Sequence, residues 1–118
     1  MRDFIELMRN HGLVVDIHEQ VSSVYDAPKR SFGTDKLLFF HNLDGKKGIM
    51  NLTASREALA LALGVRPEAM VPHLASCRYD GRVLDGGTIT GSPPDLDQIP
   101  IMKHYPLDAG RYLCAGVV

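Results

Sequence analysis

Two apolar runs flanking a compact turn signal constrain this chain most. Leu37-Leu38-Phe39-Phe40-His41 is apolar enough for a strand covered on both faces. Leu43-Asp44-Gly45-Lys46 supplies hairpin turn chemistry, and Gly48-Ile49-Met50-Asn51-Leu52 reads as the return strand. An isolated hairpin is marginal in water, so other parts of the chain must cover it.

The flanking segments supply the cover. Residues 2–11 place Phe4, Ile5, Leu7 and Met8 largely on one helical face, and Gly12 follows as a helix stop that tolerates positive φ. Asp3 and Glu6 near the helix start, with Arg9 and His11 near its end, suit the helix dipole. Leu13–His18 (LVVDIH) then reads as a buried strand. Residues 19–35 predict a short helix or a loop, because Pro28 and Gly33 interrupt the helical turn that Val21, Val24 and Tyr25 suggest.

Beyond the hairpin, Ser55 is an N-cap for a helix over Arg56–Leu63, which Gly64 terminates. Pro67 suits the first turn of a further helix through about Ser76, shortened or bent by Pro72. Arg82–Thr90 is β-like, broken by Asp85-Gly86-Gly87, and Ser92-Pro93-Pro94 is a stiff connector. The pattern is α+β: a small mixed β-sheet covered by three or four helices. Its expected core packs Phe4, Ile5, Leu7 and Met8, with Leu59, Leu61 and Leu63, on strands Leu13–Ile17 and Leu37–Phe40. The organisation is an N-terminal α/β domain over 1–95, then a connector and first strand over 96–118.

Composition removes several classes of function. With 118 residues, 45% of them hydrophobic, the chain is long enough for a core without covalent staples. A net charge of −1 argues against a broad nucleic-acid surface, and the absence of Trp leaves few stacking platforms. No apolar run approaches a membrane span. Cys77 and Cys114 form neither a disulfide framework nor a zinc pattern, which suits a reducing, cytoplasmic setting.

Residue chemistry alone assembles no active site. His11, His18, His41, His73 and His104 lack ligand spacing and read as surface or strand-edge histidines. His104 stands apart, lying between Lys103 and Tyr105 just before a turn. Asp85-Gly86-Gly87 and Asp108-Ala109-Gly110 are turn chemistry, because neither makes a glycine-rich loop entering a helix. There is no Gly-x-Ser-x-Gly elbow. Cys114, in an apolar run, reads as a small core residue.

Four segments in order carry a resemblance. RDFIELMRNHGLVVDI opens the chain; LLFFHNLDG is similar to a family "LLFENVKG"; GIMNLTASREALALALGV is similar to "VVGNLFGSRERIALALGV"; IPIMKHYPLDAGRYLCAGVV is similar to "LPIPTHWPGDAGPYITAGVV". The chain resembles the N-terminal part of the UbiD family, the decarboxylases and carboxylases that use prenylated flavin mononucleotide (FMN). Residues 19–35 and 66–92 are the least matched.

The resemblance implies non-oxidative decarboxylation of an aromatic or α,β-unsaturated acid, with prenylated FMN and a divalent metal as cofactors of the full-length enzyme. The family's segments for cofactor phosphate, metal and proton transfer lie beyond the Asp-Ala-Gly stretch. No catalytic or metal-binding residue is therefore assigned here, and no cofactor is expected for the isolated chain. Cys114 stands where the family usually carries Thr near the active-site entrance, which makes it the one substrate-proximal candidate. A Cys there loses a good hydroxyl hydrogen-bonder.

Two further expectations concern partners. The apolar run Tyr112–Val118 reads as a strand beginning, and an unpaired edge favours a homodimer or a separate chain carrying the rest of a UbiD-like enzyme. The alternatives are a non-catalytic binding or regulatory module, or a truncated relic of the same family.

Overall fold

The structure is a computed structural model that describes residues 1–78, 81, 91, 95, 99 and 101–107. The expected strand over Arg82–Thr90, the connector Ser92-Pro93-Pro94, the Asp108-Ala109-Gly110 turn, the strand Tyr112–Val118 and Cys114 lie outside the described residues. So does the expected boundary between 95 and 96.

Helix α1 (Arg2–Asn10) leads into strand β1 (Val14–Val21), helix α2 (Asp26–Ser31) and strand β2 (Leu37–Leu43). Strand β3 (Lys46–Met50), helix α3 (Arg56–Ala62), a 3₁₀ turn (Pro67–Ala69) and helix α4 (Met70–Ser76) follow. The sheet order is β1-β2-β3, with β1 parallel to β2 and β2 antiparallel to β3. This is the expected small mixed sheet, with four helices among the described residues.

Hairpin chemistry sets the β2–β3 register. Asp44 and Gly45 both take positive φ, 49° and 82°, as a two-residue turn that matches strand twist requires. The turn is also tied to β1: the Ser23 amide donates to Asp44 Oδ2 at 3.0 Å, and the Asp44 amide to the Val21 carbonyl at 3.1 Å.

Strand alternation gives the sheet two covered faces. On one, Ile17, Val21, Leu38, Phe40 and Leu43 bury with Ala27 of α2, and Met50 and Met102 pack against them. On the other, Leu37 buries with Ile5 and Met8 of α1 and Ala58 of α3, flanked by Val14, Phe39, Ile49 and Leu61. Phe40, Met8, Leu37 and Leu43 are fully enclosed, each contributing roughly 1.5–3 kcal/mol of apolar burial.

Several expectations need correction. Leu7 is 40% exposed, because it sits roughly a third of a turn away from the Ile5–Met8 stripe. Leu59 and Leu63 are exposed too; α3 approaches the sheet through Ala58, whose small side chain permits close backbone contact, with Leu61 beside it, while Ala60 is buried on another side of the helix. Strand β1 runs to Val21 rather than stopping at His18. Pro28 does not interrupt a helix, because it falls in the first turn of α2, where its missing N–H would have had no helical partner. The helix expected from Pro67 begins as a 3₁₀ turn and continues as α4, with Pro72 in the first turn of α4.

The helix ends behave as expected. Gly12, at φ 68°, lets Leu13 donate to the Met8 carbonyl at 3.0 Å, which closes α1. Ser55 caps α3, its hydroxyl accepting from the Ala58 amide at 3.0 Å.

Candidate functional site: a charged clamp beside a cleft

Strand alternation points Asp16 and His18 of β1 and Phe39 and His41 of β2 to the α1 side of the sheet. The Leu37 end of that face is covered, so the polar residues gather where cover thins. Arg9, in the last turn of α1, reaches across them. Its Nε donates to Asp16 Oδ2 at 2.9 Å and its Nη2 to Asp16 Oδ1 at 2.7 Å, a bidentate pair. Nη1 pairs with Glu6 one turn back. His41 Nε2 lies 2.8 Å from Asp16 Oδ1. The His41 ring stacks on His18 at 4.1 Å and tilts against Phe39 at 4.8 Å, while the guanidinium carbon of Arg9 lies 5.5 Å from the Phe39 centroid.

The electrostatics describe a clamp rather than an acid–base pair. Hydrogen bonds from Arg9 hold the Asp16 carboxyl down at about 2, against partial desolvation, with a smaller contribution from His41. Asp16 in turn pushes Arg9 further above its ordinary value, with Glu6 adding to it. A carboxylate that acidic holds no proton to donate near neutral pH and is a weak base.

Phe39 also forms part of the wall of a cleft of about 720 Å³ between α1 and β3, lined by Met1, Arg2, Ile5, Glu6, Phe39, Lys47, Gly48 and Ile49. A smaller cavity of about 250 Å³ lies on the opposite side of the sheet, against α2, between Tyr25, Pro28, Lys29, Phe32, His104 and Pro106. It arises because 101–107 folds back: the Lys103 amide donates to the Ser23 carbonyl at 3.0 Å, and the Tyr25 amide to the Lys103 carbonyl at 2.9 Å. Tyr25 is held there at φ 68°, a strained setting for an aromatic residue. His104, which stood apart in the sequence, thus borders an apolar hollow.

The clamp was not legible as a site from the sequence, where His18 and His41 read as isolated strand residues. The available signal was the two-residue spacing of Asp16 and His18 matched by Phe39 and His41. Using it requires the β1–β2 register, Asp16 beside Phe39 and Ile17 beside Phe40.

A family model for the N-terminal domain of 3-octaprenyl-4-hydroxybenzoate carboxy-lyase matches residues 5–78, from α1 to just past the end of α4. The chain belongs to the UbiD family. A protein named anhydromevalonate phosphate decarboxylase from Methanosarcina mazei is 34% identical over 125 residues, covering 99% of this chain and 29% of the relative. Proteins of the same name from Archaeoglobus fulgidus and Methanothermobacter thermautotrophicus are 33% and 29% identical. They cover 65% and 100% of this chain and 19% and 29% of those relatives. The chain thus spans less than a third of the length of these UbiD relatives.

The UbiD family uses prenylated FMN, and the family likeness implies a divalent metal beside it in the full-length enzyme. Among the described residues no three His, Cys, Asp or Glu side chains converge on a possible metal position. Asp16 is already engaged by Arg9 and His41. The described residues therefore do not fit a divalent-metal site. No described helix is long and apolar enough to cross a membrane.

Proposed function

We propose that this chain is the N-terminal module of a UbiD-type carboxy-lyase that decarboxylates a phosphorylated, mevalonate-derived acid. The observation that carries the reading is the match along 99% of the chain to a protein named anhydromevalonate phosphate decarboxylase. In this reading the module is structural support. Its clamped sheet end positions segments, on the same polypeptide or on a partner chain, that hold prenylated FMN and the proton-transfer groups. The cysteine at position 114 would then stand near the active-site entrance, shaping it by size rather than by hydrogen bonding.

A graft tests the proposal. The matching segment of the Methanosarcina mazei protein is replaced by this chain, the product is made with a flavin prenyltransferase, and carbon dioxide release from anhydromevalonate phosphate is followed. Turnover with a stoichiometric flavin chromophore is the expected result. A folded, flavin-loaded graft that releases no carbon dioxide would overturn it and favour a non-catalytic binding module. The 118-residue chain alone is expected to show neither chromophore nor turnover.

A further inference from the structure

The cleft between α1 and β3 joins an apolar floor to a cationic rim. Phe39 and Ile49 are cross-strand partners, so their side chains lie together on the α1 side of the sheet. Ile5, buried on α1, faces them. Lys47 lies two residues before Ile49 in β3, on the same sheet face, and Arg2 lies three residues before Ile5, on the same side of α1. The two elements thus bring one cation each to opposite walls of one cleft, and both residues are exposed. Among the described residues neither Arg2 nor Lys47 makes an ion pair. Glu6, the acid in the lining, shares Arg9 with Asp16 and so keeps part of its charge.

Size and charge select the occupant. About 720 Å³ falls within the span of small-molecule sites, roughly 300–1,000 Å³. Arg2, Lys47 and Arg9 against Glu6 and Asp16 leave a net charge of +1 at the cleft, which favours an anion. The side chains of Ile5, Phe39 and Ile49 favour hydrocarbon next to it, and every buried side-chain N or O among the described residues already has a partner. Recognition therefore rests on the rim charges and the apolar floor together. We infer that the α1–β3 cleft binds a small amphiphilic anion, its carboxylate or phosphate between Arg2 and Lys47 and its hydrocarbon over Ile5, Phe39 and Ile49. This site is independent of whether the decarboxylase reading holds.

The test is amide NMR of the 118-residue chain titrated with hexyl phosphate, hexanoate, 1-hexanol and inorganic phosphate. Both amphiphilic anions should shift the Ile5, Phe39 and Ile49 amides saturably, and their relative affinities tell a phosphate site from a carboxylate site. Hexanol and inorganic phosphate should each bind about ten-fold more weakly or worse, because each lacks one half of the recognition. Arg2→Glu with Lys47→Glu should weaken hexyl phosphate by about ten-fold or more, and Glu6→Gln should tighten it. Lys29→Glu, at the other cavity, should change nothing. Both charge reversals lie on exposed side chains, and spectral dispersion checks that the fold survives. Hexanol binding as tightly as hexanoate, shifts confined to Tyr25–Phe32, or full affinity in the double reversal would each overturn the site. In that event Lys47 serves only to keep the β3 edge from pairing with other chains.

Discussion

Arg9 and Asp16 are joined by two near-parallel hydrogen bonds, Nε to Oδ2 at 2.9 Å and Nη2 to Oδ1 at 2.7 Å, which fasten the last turn of α1 to the middle of β1. Seven residues separate them, and the Gly12 turn is what brings helix back over strand. Because Asp16 also engages His41, one carboxylate links α1, β1 and β2.

That link makes stability pH-dependent in a defined direction. Folding lowers the Asp16 pKa from 3.8 to about 2, so the unfolded chain takes up this proton first as acid is added. The contribution is complete above about pH 4 and is lost as pH falls through about 2. After allowance for solvent screening it amounts to about 1 kcal/mol. Urea melts of the parent and Asp16→Asn between pH 2 and 6 should show the variant less stable above pH 4 and the two converging towards pH 2. Parallel curves would assign the acid sensitivity to other carboxylates.

The two sides of α1 predict unequal mutational costs. Met8 is fully buried while Leu7 is 40% exposed. Met8→Ala should cost about 2–5 kcal/mol and Leu7→Ala less than about 1 kcal/mol. Equal losses in urea melts would mean that Leu7 is covered in solution.

Ser55 caps α3 from a buried position, so the hydroxyl matters twice. Ser55→Ala should cost about 1–2 kcal/mol, through the lost cap and the stranded Ala58 amide. Ser55→Asp should recover less than an exposed cap would, because its charge is also desolvated. Thermal melts of the three proteins at pH 7 rank them directly, and an Ala variant matching the parent would exclude the cap from stability.

The docked 101–107 segment hangs on the Lys103 amide and carbonyl. Lys103→Pro removes the donor to Ser23 and should free the segment, letting Tyr25 leave its strained φ. Hydrogen exchange at the Tyr25 amide should speed up by about ten-fold or more, while Phe40 stays protected. Unchanged exchange at Tyr25 would show that its protection comes from elsewhere.

By itself the sequence determined those features that rest on local chemistry. Asp44-Gly45 specified the hairpin through positive φ, Gly12 and Gly64 stopped two helices, Ser55 capped the second of these, and four ordered segments marked the family. Alternation and helical period also named the apolar runs, so the α+β class was legible. Only tertiary structure decided which leucines count: Leu7, Leu59 and Leu63 fit a helical stripe in sequence, yet Ala58 is what α3 buries against the sheet, because close approach selects a small side chain. It also decided the clamp and the cleft. Asp16 and His41 are 25 residues apart, and Arg2 meets Lys47 across two different elements. Local periodicity says which face a side chain occupies. Which faces meet depends on the strand register and on where α1 lies across the sheet, and both are set by burial summed over the whole domain.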